Sequence, residues 1–412
     1  MVQEDEQQRQ AAEEIQPQVA QLGRRFADSR NSIRRGHRRR HPPVPHYREP
    51  LGSGQSLPTP VRALMSRSRR LLPFAGLLLA LSAGPAVAQD AASLTGAGIL
   101  MYHRFGENTV PSTNIRLEQF DAHIAELKSG PYHVMGLPEI VAKLKSGEKL
   151  PDRAVAVTAD DAYISAFTEG WPRLKKAGIP FTLFVATEPV TSKLRGYLTW
   201  DQIRQMKAEG VTIGAHSHRH PSLPALGPDK AREDLETSMA LFEKELGEKP
   251  KLFAWPFGEW DAPTLKLVRQ FGYSAAFGQH SGVAHSQHDM FWLPRFPMNE
   301  HFGSVERVRQ ALNSLPLPVS DIEPADVLVK LGQTQNPPVL RFTVAPGVER
   351  LNQMVCYTGE GRQLTPKPIG ERRYEMHAPE ALKPPRDRIS CSVPSSQQGR
   401  FRWFGIQFTV AK

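Results

Sequence analysis

Cysteine is almost absent from this chain. Its 412 residues hold only Cys356 and Cys391, which have neither C-x-x-C spacing nor a nearby histidine pair, so they are not a metal site. Acidic residues are outnumbered, 42 Asp and Glu against 52 Lys and Arg, for a formal charge of +10. That excess is unevenly placed. Residues 1–64 carry 11 basic and 7 acidic side chains (net +4) and residues 65–88 add +3, which leaves +3 for residues 89–412. The bulk of the chain is nearly neutral, which speaks against nucleic acid as a partner. No glycine-rich phosphate loop follows the first strand-like run, which disfavours a doubly wound nucleotide fold. A membrane span is not expected either: residues 71–81 are apolar but too short for a comfortable crossing.

What is present begins with an export pattern. Arg67, Arg69 and Arg70 precede the apolar residues 71–81, and Ala86-Val87-Ala88 follows as a small-residue cleavage site. This order of charge, grease and small residues reads as a secretory signal peptide at 65–88. The mature chain is then expected to start near Gln89 and to be periplasmic or secreted, without a membrane span after cleavage. A signal peptide belongs at an N-terminus, so translation is expected to start at Met65, with residues 1–64 a disordered, untranslated leader. Export places the two cysteines where bridges persist, so Cys356 and Cys391 are expected to pair.

From about residue 97 to 300, short apolar runs alternate with helical patterns. Strands are expected at 98–102, 154–158, 181–186, 211–215, 251–255 and 273–277. Leu117, Phe120, Ile124 and Leu127 share one helical face, residues 138–146 stop at Gly147, and Thr199 with Gln202 forms a capping box. A long amphipathic helix is expected from 229 to 246. Apolar strands separated by helices belong to a parallel sheet with helices outside, and the count fits a (β/α) barrel, regular or distorted, at 89–314. The prolines of residues 315–324 read as a linker. Beyond it the period becomes two: Leu340, Phe342 and Val344 alternate with polar residues, as do Phe404, Ile406, Phe408 and Val410. This predicts a small all-β sandwich at 325–412, stapled by the cysteine pair.

Two clusters carry the chemistry. Asp160-Asp161 ends the apolar run 154–158, and His216-Ser217-His218-Arg219-His220 ends the run 211–215. Adjacent carboxylates repel, and a divalent cation held by one carboxylate and two neutral imidazoles relieves that repulsion. The four-residue spacing of His216 and His220 sets both rings on one side of a helical turn or tight loop and turns His218 away. In a (β/α) barrel the C-terminal strand ends converge on one face, which gathers these residues with Trp255-Pro256-Phe257-Gly258. The pattern points to metal-assisted hydrolysis, with the second aspartate free to act as a base.

These motifs resemble the polysaccharide deacetylase family, the NodB homology or carbohydrate esterase 4 group. Thr158-Ala159-Asp160-Asp161-Ala162 is similar to its T-F-D-D-G, His216 to His220 match H-[ST]-x-x-H, and Pro256-Phe257-Gly258 matches the end of R-x-P-Y-G. Ile99-Leu100-Met101-Tyr102-His103 and Leu293-Pro294-Arg295 resemble the branch acting on poly-N-acetylglucosamine. The resemblance covers about residues 97–300 and implies a distorted (β/α) barrel. It also implies Asp160 as catalytic base and Asp161, His216 and His220 as ligands of a divalent ion, most simply Zn2+. The implied function is an exported hydrolase that removes N-acetyl groups from an N-acetylhexosamine polysaccharide. The alternatives are a non-catalytic carbohydrate-binding protein on the same barrel and an O-acetyl esterase.

Departures from the family pattern define the remaining expectations. Ala159 and Ala162 replace the motif's Phe and Gly with small residues that keep the aspartates in place. Ala254 replaces the arginine that steadies the base, and Arg295 is the candidate substitute. The late L-x-H that supplies a general acid has no counterpart; His103, His280, His285 and His301 are the candidates. Trp200, Trp255, Trp260 and Trp292 are candidate sugar-stacking faces, Trp255 foremost because it adjoins the metal loop.

Overall fold

A computed structural model of the protein describes residue 91 and residues 93–411. The leader and signal-peptide readings at 1–64 and 65–88 lie outside the described residues. Among those described, no helix is long and apolar enough to cross a membrane.

Six parallel strands follow the chain in order, each hydrogen-bonded to the next: β1 (Gly96–Tyr102), β2 (Ala154–Ala159), β3 (Phe181–Val185), β4 (Thr212–Ala215), β5 (Leu252–Ala254) and β6 (Ala275–Phe277). Every residue of β2 and β3 is buried, as expected of parallel strands covered on both faces. Helices intervene where the apolar period changes, and three of them, Leu137–Ser146, Trp171–Ala177 and Pro228–Leu246, stop at glycines in the left-handed region (Gly147, Gly178 and Gly247). The helix Trp200–Ala208 opens with the expected Thr199/Gln202 capping box. One short segment reaches both ends of the sheet: Leu293 bridges Phe277 of β6, and Phe296 pairs with Leu100 of β1. The sheet therefore curls as a distorted (β/α) barrel, and the C-terminal ends of β2, β4 and β5 deliver the aspartates, the histidines and the Trp255 loop.

Residues 315–411 are strand and turn apart from one 3-10 turn, Leu351–Gln353. One sheet orders Leu315–Pro316, Phe401–Ala411, Arg386–Pro394, Val355–Thr358 and Gln363–Leu364, with Leu328–Lys330 also on Phe401–Ala411. A second orders Val319–Glu323, Val339–Val344, Arg373–His377 and Lys367–Pro368. Val339–Val344 alternates half-buried and buried residues, the period-two pattern read from the sequence. The two sheets face each other: Phe342 of one meets Phe404 of the other edge-on at 5.3 Å. The expected Cys356–Cys391 bridge is present, between directly paired residues of neighbouring strands in one sheet.

One expectation is corrected. Residues 315–324 are not a linker: Leu315 pairs with Arg402, Pro316 with Trp403, and Val319 with Val344. Proline suggested a break in structure, but proline is tolerated at strand starts and sheet edges, and edge pairing to strands far downstream is invisible to a local reading.

Candidate metal centre and active site

Asp160 and Asp161 follow β2 directly. The Asp160 N–H donates to the Tyr102 carbonyl at 3.0 Å, and Asp161 and Ala162 then take left-handed backbone conformations, φ 75° and 65°. That sharp turn sends the two carboxylates in different directions. At Ala162 the Cβ occupies a conformation that L-residues adopt at a cost of order 1–2 kcal/mol.

Asp160 is fully buried and meets Arg295, also fully buried, through two parallel hydrogen bonds of 2.7 Å. The Arg295 Nε donates to the Gly278 carbonyl at 3.0 Å, which fixes the guanidinium plane. Arg295 is brought to Asp160 on the segment that closes the sheet. Burial pushes the Asp160 carboxyl up, but the charges of Arg295, His216 and His103 and the Arg295 hydrogen bonds outweigh it and hold its pKa below the ordinary value.

Asp161 Oδ1 faces two imidazoles. The Nε2 atoms of His216 and His220 each lie 3.2 Å from it and 3.1 Å from each other. The His216 Nδ1 lies 2.8 Å from the Ala254 carbonyl, an acceptor only, so Nδ1 carries a proton and Nε2 presents its lone pair to Asp161. Asp161 Oδ1 is buried and accepts no hydrogen bond of sound geometry. An orphaned carboxylate oxygen converging with two ring nitrogens suits a divalent cation, and these three are the potential metal-ligand cluster among the described residues. Burial opposes charge on His216, yet the 3.2 Å approach to Asp161 and the field of both aspartates raise its pKa. The pocket attracts positive charge.

The histidine segment is a tight loop, not a helical turn: Ser217 and His220 are left-handed, at φ 65° and 56°. The His220 N–H donates to Ser217 Oγ at 3.0 Å. His218 points away, as its spacing implied, with Nδ1 2.9 Å from Thr187 Oγ1. The sequence reading missed Asp234, whose buried carboxylate accepts from the N–H groups of His218 at 2.7 Å and Arg219 at 3.1 Å and so holds the loop. A signal for it existed: an acid among the buried-face positions Ala231, Leu235 and Ser238 of an amphipathic helix.

Among the acid candidates, His103 enters the site: its Nε2 is 3.9 Å from Asp160 Oδ2, and burial holds its pKa below the ordinary value. His280 is buried against Trp292, His285 stacks on His288, and His301 lies in a turn. The tryptophan expectation fails. Trp255 is completely buried, edge-on to Phe253, with its Nε1 donating to the Phe291 carbonyl at 2.8 Å. Trp200, Trp260 and Trp292 are buried as well, so these rings are core and not sugar platforms. Beside them Phe257, left-handed at φ 58° in the Pro256–Gly258 turn, sets its ring edge-on to His220, centroids 4.4 Å apart.

Residues 147–276 match the pattern of the polysaccharide deacetylase family. This segment belongs to that family. The chain is 27% identical over 197 residues, 48% of its length and 69% of the relative, to YxkH of Bacillus subtilis (strain 168), itself named for polysaccharide deacetylation. It is 22% identical over 212 residues, again 48% of this chain and 73% of the relative, to the poly-beta-1,6-N-acetyl-D-glucosamine N-deacetylase of Staphylococcus aureus (strain MRSA252). In fold it is similar to the Streptococcus pyogenes deacetylase PplD, solved in complex with acetate. The TM-score is 0.50 with 24% identity, covering 53% of this chain and 99% of that one. The two relatives and the solved structure each cover about half of this chain, and the family match about a third.

Proposed function

We propose that the protein is an exported, metal-dependent hydrolase that removes N-acetyl groups from an N-acetylhexosamine polysaccharide, with residues 89–314 catalytic and the C-terminal sheets accessory. The observation that carries this reading is the convergence of Asp161, His216 and His220 on one point beside a separately anchored Asp160. A bound divalent ion, zinc by the character of the donors, would supply water of lowered pKa and polarise the acetyl carbonyl. Asp161, His216 and His220 would hold it, and the Ala254 carbonyl keeps His216 in the ligating tautomer. Asp160, held ionised and oriented by Arg295, accepts the proton of the attacking water. The proton that Asp160 takes up passes by way of His103, whose Nε2 lies 3.9 Å from Asp160 Oδ2, to the departing amine as the C–N bond breaks. A glycan carrying N-acetyl groups follows from the family and from the named substrate of the S. aureus relative.

Acetate release from acetylated glycans, with elemental analysis of the protein, tests these roles. Chelation should abolish release and added Zn2+ restore it. Asp160→Asn should retain metal and lose on the order of 10²–10⁴-fold in rate. His216→Ala and His220→Ala should lose metal and activity together, while His218→Ala stays mild. Full activity of Asp160→Asn would sink the assignment. Glycan binding without acetate release would favour a carbohydrate-binding protein, and release from O-acetyl substrates alone an esterase.

A further inference from the structure

The loop that carries Phe257 is built in the barrel but held from the far end of the chain. Gln407, 2% exposed, donates from Nε2 to the Phe257 carbonyl at 2.9 Å. Its Oε1 accepts from Arg388 Nε at 2.9 Å, which decides the orientation of the amide. The Arg386 guanidinium lies over the Phe257 ring, 4.7 Å from its centroid, and donates from Nε to the buried Glu259 carboxylate at 2.6 Å. Thr409 Oγ1 donates to the Trp260 carbonyl at 3.2 Å, and Asp326 accepts from the Ala262 N–H at 3.1 Å. Backbone approach is equally close: a side chain at Gly405 would collide with the Ser281 carbonyl. Phe257 needs such support, because its left-handed backbone is costly for a bulky residue and persists only where its surroundings impose it.

We propose that the C-terminal sheets complete the metal centre, with Gln407 and Arg386 as positioning residues that hold Phe257 against His220. The proposal rests on the reading of His220 as a metal ligand. Gln407 fixes the Phe257 backbone, Arg386 covers the ring face, and the ring edge limits where the His220 imidazole can swing. Support behind a metal ligand characteristically tunes affinity without touching the ion.

Co2+ binding to the full-length protein, followed by its visible absorption bands and by competition with a chromophoric chelator, tests this without recourse to activity. Gln407→Leu and Arg386→Met should weaken binding roughly 10-fold and shift the bands. Arg386→Lys, which keeps the charge opposite Glu259 but loses the planar cover, should fall between and serves if Arg386→Met does not fold. Val344→Ala, buried in the other sheet away from the loop, should lower the melting temperature yet leave affinity and spectrum unchanged. Wild-type affinity and spectrum in the Gln407 and Arg386 variants, while His220→Ala loses Co2+, would overturn the positioning role and leave the metal reading intact. An equal loss in Val344→Ala would overturn it as mere loosening of the fold. Failure of the wild-type protein to bind Co2+ would remove the metal reading and this proposal together.

Discussion

At the scale of single residues, the Asp160–Arg295 pair is the most consequential contact. Both groups are fully buried, so removing one leaves an uncompensated charge. Arg295→Met should cost about 3–5 kcal/mol of stability and most of the activity, read by denaturant melts and acetate release. The pH dependence should change sign at this site. In the wild type the Asp160 pKa is depressed, so its contribution is present above the ordinary carboxylate value of about 4 and lost as pH falls through the folded value. In Arg295→Met, burial dominates and raises that pKa, so the folded state takes up a proton and the variant loses stability as pH rises. Equal pH slopes for the two proteins between pH 4 and 7 would show that Arg295 does not govern Asp160.

At the scale of elements, the strand pair Val355–Thr358 and Arg386–Pro394 is tied by Cys356 and Cys391, which face each other in the register. Both sulfurs also approach Met376 Sδ of the opposite sheet, at 3.3 and 3.8 Å, so the bridge sits in the apolar interior. With the cysteines 35 positions apart in sequence, loss of the bridge in the Cys356→Ala/Cys391→Ala double variant should cost roughly 3–4 kcal/mol by chain entropy. Urea melts of the double variant and of the untreated protein measure this directly; coincident midpoints would refute it. Helix caps act at the same scale. Asp261 accepts from the Thr264 N–H at 2.9 Å at the start of Ala262–Arg269, so Asp261→Ala should cost about 1 kcal/mol in the same melts.

At the scale of the whole molecule, the barrel and the C-terminal sheets should unfold together. A single cluster of buried side chains runs from Leu100 and Val157 to Phe404 and Val410. Arg400 donates to the Asn313 carbonyl at 2.7 Å and to Asp152 at 2.8 Å, and Arg402 donates to the Pro316 carbonyl at 3.0 Å. Even Ala91 is buried, its N–H donating to the Pro346 carbonyl at 3.2 Å. Calorimetry should therefore show one transition for the described body, and limited proteolysis should spare residues 315–324. Two separated transitions, or rapid cleavage there, would restore the linker reading.

The sequence by itself determined the local elements and the chemical pair at their ends. Periodicity, helix-stopping glycines and the Thr199 capping box depend on interactions within a few residues, so they are legible along the chain. The aspartate and histidine motifs were legible because a strand end in a parallel sheet has one available direction. Only the tertiary structure decided the partners drawn from afar: Arg295 on Asp160, Asp234 under the histidine loop, Gln407 and Arg386 on Phe257, and strands in place of the linker. It also sent the tryptophans into the core. Side-chain type limits what a residue can bind, but which of many equivalent arginines, acids or rings arrives is set by long-range packing, which sequence spacing does not encode.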